Sequence, residues 1–173
     1  MKTKIILFIA LVLLASCNIG QNKKPAIQVQ TGDALTGTWK LLVYKTESPD
    51  GHIKYPFEKD VDGMAVFDRK NNFSFQFYDG SRSRFLKSDP YFSTNPEIRI
   101  AFLTSRTSFG KYQINADTVF LKIKAALIPN YSGTVTKYFF KIKGDTLLMI
   151  SPGMLQAGDL LSEHTIWIKE SKY

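Results

Sequence analysis

The sequence predicts an all-β protein, an antiparallel up-and-down barrel of about eight strands with one short helix. Three observations carry that prediction. Several short segments alternate apolar and polar residues with a period of two. Turn residues separate them at short intervals. One side of most segments is apolar and the other is rich in lysine, as expected when a sheet closes around a core. A two-sheet sandwich satisfies the same pattern and stays open as the competing architecture.

The elements follow in order. Gly37 to Lys45 is extended and apolar-rich, and Ser48-Pro49-Asp50-Gly51 ends it in a turn. Met64 to Phe67 and Phe73 to Tyr78 form two strands joined by the hairpin loop Arg69-Lys70-Asn71-Asn72, where asparagine tolerates positive φ. In the second of these, Phe73, Phe75 and Phe77 alternate with Ser74, Gln76 and Tyr78. Thr107 to Ile114 is a further strand, ended by Asn115-Ala116-Asp117. In Thr118 to Ala126, Val119, Leu121 and Ile123 oppose Lys122 and Lys124. Pro129-Asn130 turns the chain into Thr134 to Ile142, where Tyr138, Phe140 and Ile142 oppose Lys137, Lys141 and Lys143. Lys143-Gly144-Asp145 turns again into Thr146 to Ile150, and Thr165 to Lys169 closes the series. The helix is expected near residues 95–105, with Asn95 as cap, Pro96 in the first position, and Ile98, Ala101 and Phe102 on one face.

Ahead of the barrel, Lys2 and Lys4 precede an apolar run from Ile5 to Ala15, which ends in Leu14-Ala15-Ser16-Cys17. A basic start, a short apolar core and small residues at the cleavage point make a secretory signal. A permanent span needs about 20 apolar residues, more than this run supplies. The small-small-Cys ending resembles the lipobox of bacterial lipoproteins. That resemblance implies cleavage before Cys17, lipidation of its sulfur and acylation of the new N-terminus. Several acyl chains, each contributing about 0.8 kcal/mol per buried methylene, make a stable membrane anchor. Residues 1–16 are thus expected to be a lipoprotein signal peptide, 17–33 the lipidated cysteine with a polar tether, and 34–173 the barrel domain. Asn18 is not the aspartate that retains lipoproteins at the inner membrane in enteric bacteria, so the expected location is the outer membrane, with the domain outside the cytoplasm.

Cys17 is the single cysteine. Once it is lipidated, the body has no thiol for a disulfide, a sulfur-bound metal or cysteine chemistry. The body must be held by its own core, and 12 of the chain's 13 Phe, with its 8 Tyr and 2 Trp, supply one, or line a cavity. Loss of Lys2 and Lys4 with the leader takes the formal charge from +8 to +6. Such a balance suits lipid headgroups, lipopolysaccharide or anionic ligands, and equally a plain solvated surface. Nucleic acid is not an expected partner outside the cytoplasm.

Leu35-Thr36-Gly37-Thr38-Trp39-Lys40-Leu41 resembles the Gly-x-Trp first strand of lipocalins. Gly37-Thr38-Trp39, Asp50-Gly51, Tyr55-Pro56-Phe57, Gly63, Gly110-Lys111-Tyr112, Pro129-Asn130, Gly133 and Gly144-Asp145 are similar, in that order, to the bacterial lipocalin-like domain family. The resemblance spans roughly residues 35–170. It implies that Trp39 plugs one end of a barrel and that a basic residue of the last strand, here Lys169, lies over it. Relatives carry a histidine in the strand matching Thr118 to Ala126 and an arginine near Tyr138. This chain has Leu121 and Lys122 at the former, so its interior is expected to lack those polar groups.

No chemistry-bearing constellation stands out. His52 and His164 have no partner at ligand spacing, so neither a metal nor another cofactor is expected. The aspartates fall mostly in turns, and no nucleophile–base pair or catalytic residue is identified. The expected ligand-binding residues are Trp39, Leu41, Phe75, Phe77, Tyr112, Leu121, Ile123, Tyr138 and Phe140 inside, with Arg82 and Arg84 at the rim. The expected role is binding of a small hydrophobic or amphiphilic molecule in the cell envelope. A pocket enzyme of isomerase or cyclase type, and an envelope interaction module with a filled barrel, are the two alternatives. An internal cavity and its lining discriminate among them.

Overall fold

The computed structural model describes residues 34–57, 60–156 and 158–170. The leader, Cys17 and the tether lie outside the described residues. The described chain forms ten strands and one α-helix: β1 (Gly37–Glu47), β2 (Ile53–Lys54), β3 (Val61–Phe67), β4 (Asn72–Asp79), α1 (Asn95–Leu103), β5 (Ser105–Asn115), β6 (Thr118–Ala126), β7 (Val135–Lys143), β8 (Thr146–Ile150), β9 (Met154–Gln156) and β10 (Asp159–Lys169). Eight of the strands pair antiparallel in the order β1-β3-β4-β5-β6-β7-β8-β10, and β10 pairs back onto β1, closing the barrel. The sandwich alternative is thereby excluded. The short strands β2 and β9 extend the sheet beside β1 and β10.

The period-two pattern sets the inside. Phe73, Phe75 and Phe77 of β4 are buried while Ser74 and Gln76 are exposed, and on β6 Val119, Leu121 and Ile123 are buried while Lys122 and Lys124 are exposed. Asn71 bends the β3–β4 hairpin at φ 61°. Asp68 secures it by accepting from the backbone N–H groups of Lys70 and Asn72, each at 2.8 Å. Two departures from the sequence expectation concern ends of elements. Thr94, not Asn95, is the helix N-cap, and Glu97 accepts from its backbone N–H at 2.8 Å. The last strand begins at Asp159, six residues earlier than the alternation suggests.

One pole is plugged. Trp39 is buried and donates from Nε1 to Leu35 O at 2.7 Å, which draws the chain before β1 across the opening. The Lys169 ammonium lies 5.2 Å from the indole centroid, a cation–π contact from the last strand as the resemblance implies. At the same pole, Phe67 and Tyr112 meet edge-on at 5.1 Å, and Tyr112 donates to Asp68 O at 3.0 Å. At mid-height Trp167 stacks on Phe75 at 5.6 Å and meets Phe77 edge-on at 6.0 Å. These rings fill the lower barrel and form a floor for what lies above.

Gly63 sits opposite Phe77 in register. A Cβ there would fall 2.2 Å from Phe77 Cβ and 2.6 Å from Gln76 O. Gly63→Ala must therefore push β3 from β4, and its expected cost is about 1–3 kcal/mol, typical of overpacking. Equilibrium urea unfolding measures it, and an unchanged midpoint would show that the two strands separate without penalty.

Candidate functional site

The pole opposite Trp39 is open. A cavity enters there, offering about 70 Å³ to water-sized occupants and about 620 Å³ of empty space when the mouth is included. The smaller figure already exceeds the roughly 10–15 Å³ that one water needs. Phe75, Phe77, Leu121, Ile123, Leu127 and Ile128 supply the apolar wall. Arg106, Thr107, Ser108, Thr136, Tyr138 and Glu163 supply the polar one, and Tyr131 stands with them at the rim.

The polar wall is built around Glu163. Tyr44 donates its hydroxyl to Glu163 Oε1 at 2.8 Å, and Tyr138 donates to Oε2 at 3.3 Å. Three strands, β1, β7 and β10, thus converge on one carboxylate. Its backbone is pinned by buried Ser151, whose Oγ accepts from Glu163 N at 3.0 Å and whose N–H donates to Glu163 O at 2.9 Å. An ionised carboxylate offers about four lone-pair sites, and two hydroxyls use only part of that capacity. The remainder can accept from a ligand. Arg106 lies across the Phe57 ring at 5.2 Å and donates from Nη1 to Leu103 O and Ser105 O. Among the described residues no carboxylate lies within ion-pair distance of it.

The two phenols are held neutral. Burial, and after it the adjacent Glu163 charge, push the Tyr44 hydroxyl far above its ordinary value, with Arg106 pulling the other way. Burial and Glu163 raise Tyr138 in the same direction. Both therefore serve as hydrogen-bond donors near neutrality rather than as bases. The linkage has a definite sign. Below about pH 10 both phenols are neutral in the folded and the unfolded chain, and their contribution is complete. Above it the unfolded chain ionises while the folded chain does not, so stability falls as pH rises. The expected slope is about 1.4 kcal/mol per pH unit for each tyrosine. Urea unfolding between pH 9 and 11 measures it, and Tyr44→Phe should remove about half of the slope.

Five of the residues expected inside, Phe75, Phe77, Leu121, Ile123 and Tyr138, surround this cavity. Trp39, Leu41, Tyr112 and Phe140 are buried in the packed core and do not line it. Alternation tells which face a residue takes but not its height in the barrel, and these four lie lower. Arg82 and Arg84 are exposed outside the cavity; Arg82 lies across Tyr78 at 4.3 Å and donates to Ser105 Oγ at 2.7 Å. The expectation of an interior poor in ionisable groups is corrected by Glu163 and Arg106, which both line it.

An eight-stranded antiparallel barrel, plugged at one pole and hollow at the other, defines a class of protein built to enclose a small molecule. Residues 36–170 match the lipocalin-like domain family, and the chain belongs to it. No curated protein matches the chain. Three solved structures are similar to it. An uncharacterized protein from Bacteroides eggerthii has 10% identity, covers 79% of this chain and 99% of its own, and has a TM-score of 0.40. A lipocalin-like protein from Bacteroides uniformis has 14% identity, with 79% and 98% coverage and a TM-score of 0.39. A variant of the fluorescent protein UnaG has 8% identity, with 82% and 100% coverage and a TM-score of 0.37.

Proposed function

We propose that the protein is a lipid-anchored lipocalin-like lipoprotein of the cell envelope that holds one small amphiphilic molecule. The anchor is Cys17, acylated after removal of residues 1–16, and the location is the outer membrane. The apolar part of the ligand packs on Phe75, Phe77, Leu121 and Ile123. Its polar end carries a hydrogen-bond donor that Glu163 accepts. The carrying observation is the apolar-walled cavity with a carboxylate held by two neutral tyrosines. Glu163 and Arg106 bring opposite charges to the same wall, so a neutral or zwitterionic head suits it better than a simple fatty acid. That replaces the rim role expected of Arg82 and Arg84.

Convergent polar groups also favour the pocket-enzyme reading more than the sequence does. The protonation of the tyrosines argues against it, since general acid–base work near neutrality needs groups tuned close to that pH.

The test uses N-phenyl-1-naphthylamine, a neutral aromatic amine with one N–H donor. It should bind with one-to-one stoichiometry and quench Trp167, whose ring stacks on the cavity residue Phe75. A dansylated fatty acid should bind less tightly. Binding of neither probe, together with no ligand in native mass spectra of envelope-purified protein, would leave the interaction-module reading in its place. Intact mass of the same material tests Cys17: an unmodified cysteine would remove the anchor.

A further inference from the structure

Between β4 and β5 the chain leaves the barrel at the mouth pole for residues 80–104, and none of these residues is buried. Large apolar side chains stand in solvent along it. Leu86 is 89% exposed, Tyr91 93%, Phe92 70% and Ile100 57%. Apolar exposure concentrated in one segment in this way marks an interaction site rather than a resting surface.

The segment is nonetheless built. Asp89 caps the 3-10 turn Pro90–Phe92 by accepting from Tyr91 N at 3.0 Å. Glu97 accepts from Leu86 N and Thr94 N, each at 2.8 Å, and from the Thr94 hydroxyl at 2.7 Å. Its two carboxylates are thus turned onto its own backbone. Three of its four cations are not: Arg82 lies across Tyr78, but Arg84, Lys87 and Arg99 are exposed along the same segment. The outward character is apolar and basic together.

We propose that segment 80–104 docks on an anionic lipid bilayer, seating Leu86, Tyr91 and Phe92 in the interfacial region with Arg84, Lys87 and Arg99 against the headgroups. Aromatic and aliphatic side chains ringed by cations are the pattern that lies in such an interface. A second copy of the chain fits less well, because a self-complementary contact would set the same cations against each other. Arg106, at the foot of the segment on β5, lines the cavity, so docking brings the mouth to the lipid surface. The proposal goes beyond ligand holding and does not depend on it.

Residues 18–173 keep every described strand and lack the acylation cysteine, so vesicle binding by this chain is the domain's own. It should partition at least tenfold better onto phosphatidylglycerol–phosphatidylethanolamine vesicles than onto phosphatidylcholine vesicles. Tyr91→Ser with Phe92→Ser should lower that partition at least tenfold, and Arg84→Gln with Lys87→Gln at least threefold. All four side chains are exposed, and unchanged N-phenyl-1-naphthylamine binding or an unchanged urea midpoint verifies the fold of each variant. Emission from Phe92→Trp should shift to the blue when the anionic vesicles are added. Equal partition onto both vesicle types, or undiminished binding by the double variants, would overturn the proposal. So would a dimer that Tyr91→Ser with Phe92→Ser disperses while neither chain binds vesicles. Probe binding is read separately, so the cavity can fail while docking stands, and the reverse.

Discussion

Trp39→Ala should lower the unfolding free energy by about 3–5 kcal/mol, the range for truncating a buried aromatic side chain. An ordinary domain has only about 5–15 kcal/mol in hand, so the variant should sit near the limit of folding. The indole does two jobs at once. It fills the narrow end of the barrel, and its Nε1 binds Leu35 O, which is itself buried. Alanine leaves both the void and an unpaired carbonyl. Lys169→Ala separates the covering cation from the core ring and should cost only about 0.5–1 kcal/mol. Equilibrium urea unfolding followed through Trp167 fluorescence reads both. Equal midpoints for the two variants would mean that the plug contributes no more than its covering cation.

Glu163→Gln should weaken N-phenyl-1-naphthylamine binding at least tenfold, about 1.4 kcal/mol, with little loss of stability. The amide keeps the shape of the carboxylate and one oxygen acceptor for the tyrosines, but it loses the charge and half of the acceptor capacity. Glu163→Ala is harsher. It removes the acceptor that the Tyr44 and Tyr138 hydroxyls share, and each buried group left unsatisfied costs about 1–3 kcal/mol. Probe titration combined with urea unfolding separates the two effects. Full affinity in Glu163→Gln would show that the ligand head does not use the carboxylate.

The barrel was readable because its central strands alternate cleanly. Phe73, Phe75 and Phe77, and Val119, Leu121 and Ile123, announce one apolar face, and the turns between them carry Asn, Pro, Gly and Asp. The polar wall of the cavity was not readable, and each omission has a cause. Glu163 is inward by simple parity with Trp167 and Thr165, but a β-only pattern beginning at Thr165 stops two residues short. Arg106 is inward by parity with Ser108 and Tyr112, one residue before the strand start that the alternation suggests. Tyr44 is subtler. Counting by twos from Trp39 and Leu41 turns it outward, but the register shift between Leu41 and Val43 against β10 reverses the parity and brings Tyr44 and Thr46 inside. The site lies where strands overrun their alternating cores and where a bulge resets the count.

The seam that closes the barrel also decides how the molecule can be held. Trp39 pairs with Lys169, and Glu170 N reaches Thr38 O at 2.9 Å, so both ends of the described chain leave side by side at the plugged pole. The five longer strands, of nine to eleven residues and tilted in a closed barrel, put the mouth about 25–30 Å away. A handle on either end leaves the entrance clear. Tension applied to one end alone never crosses the seam. Tension applied between the two ends would peel β1 from β10 one rung at a time, starting at Trp39, so the stopper of the barrel is also the first tooth of its zipper.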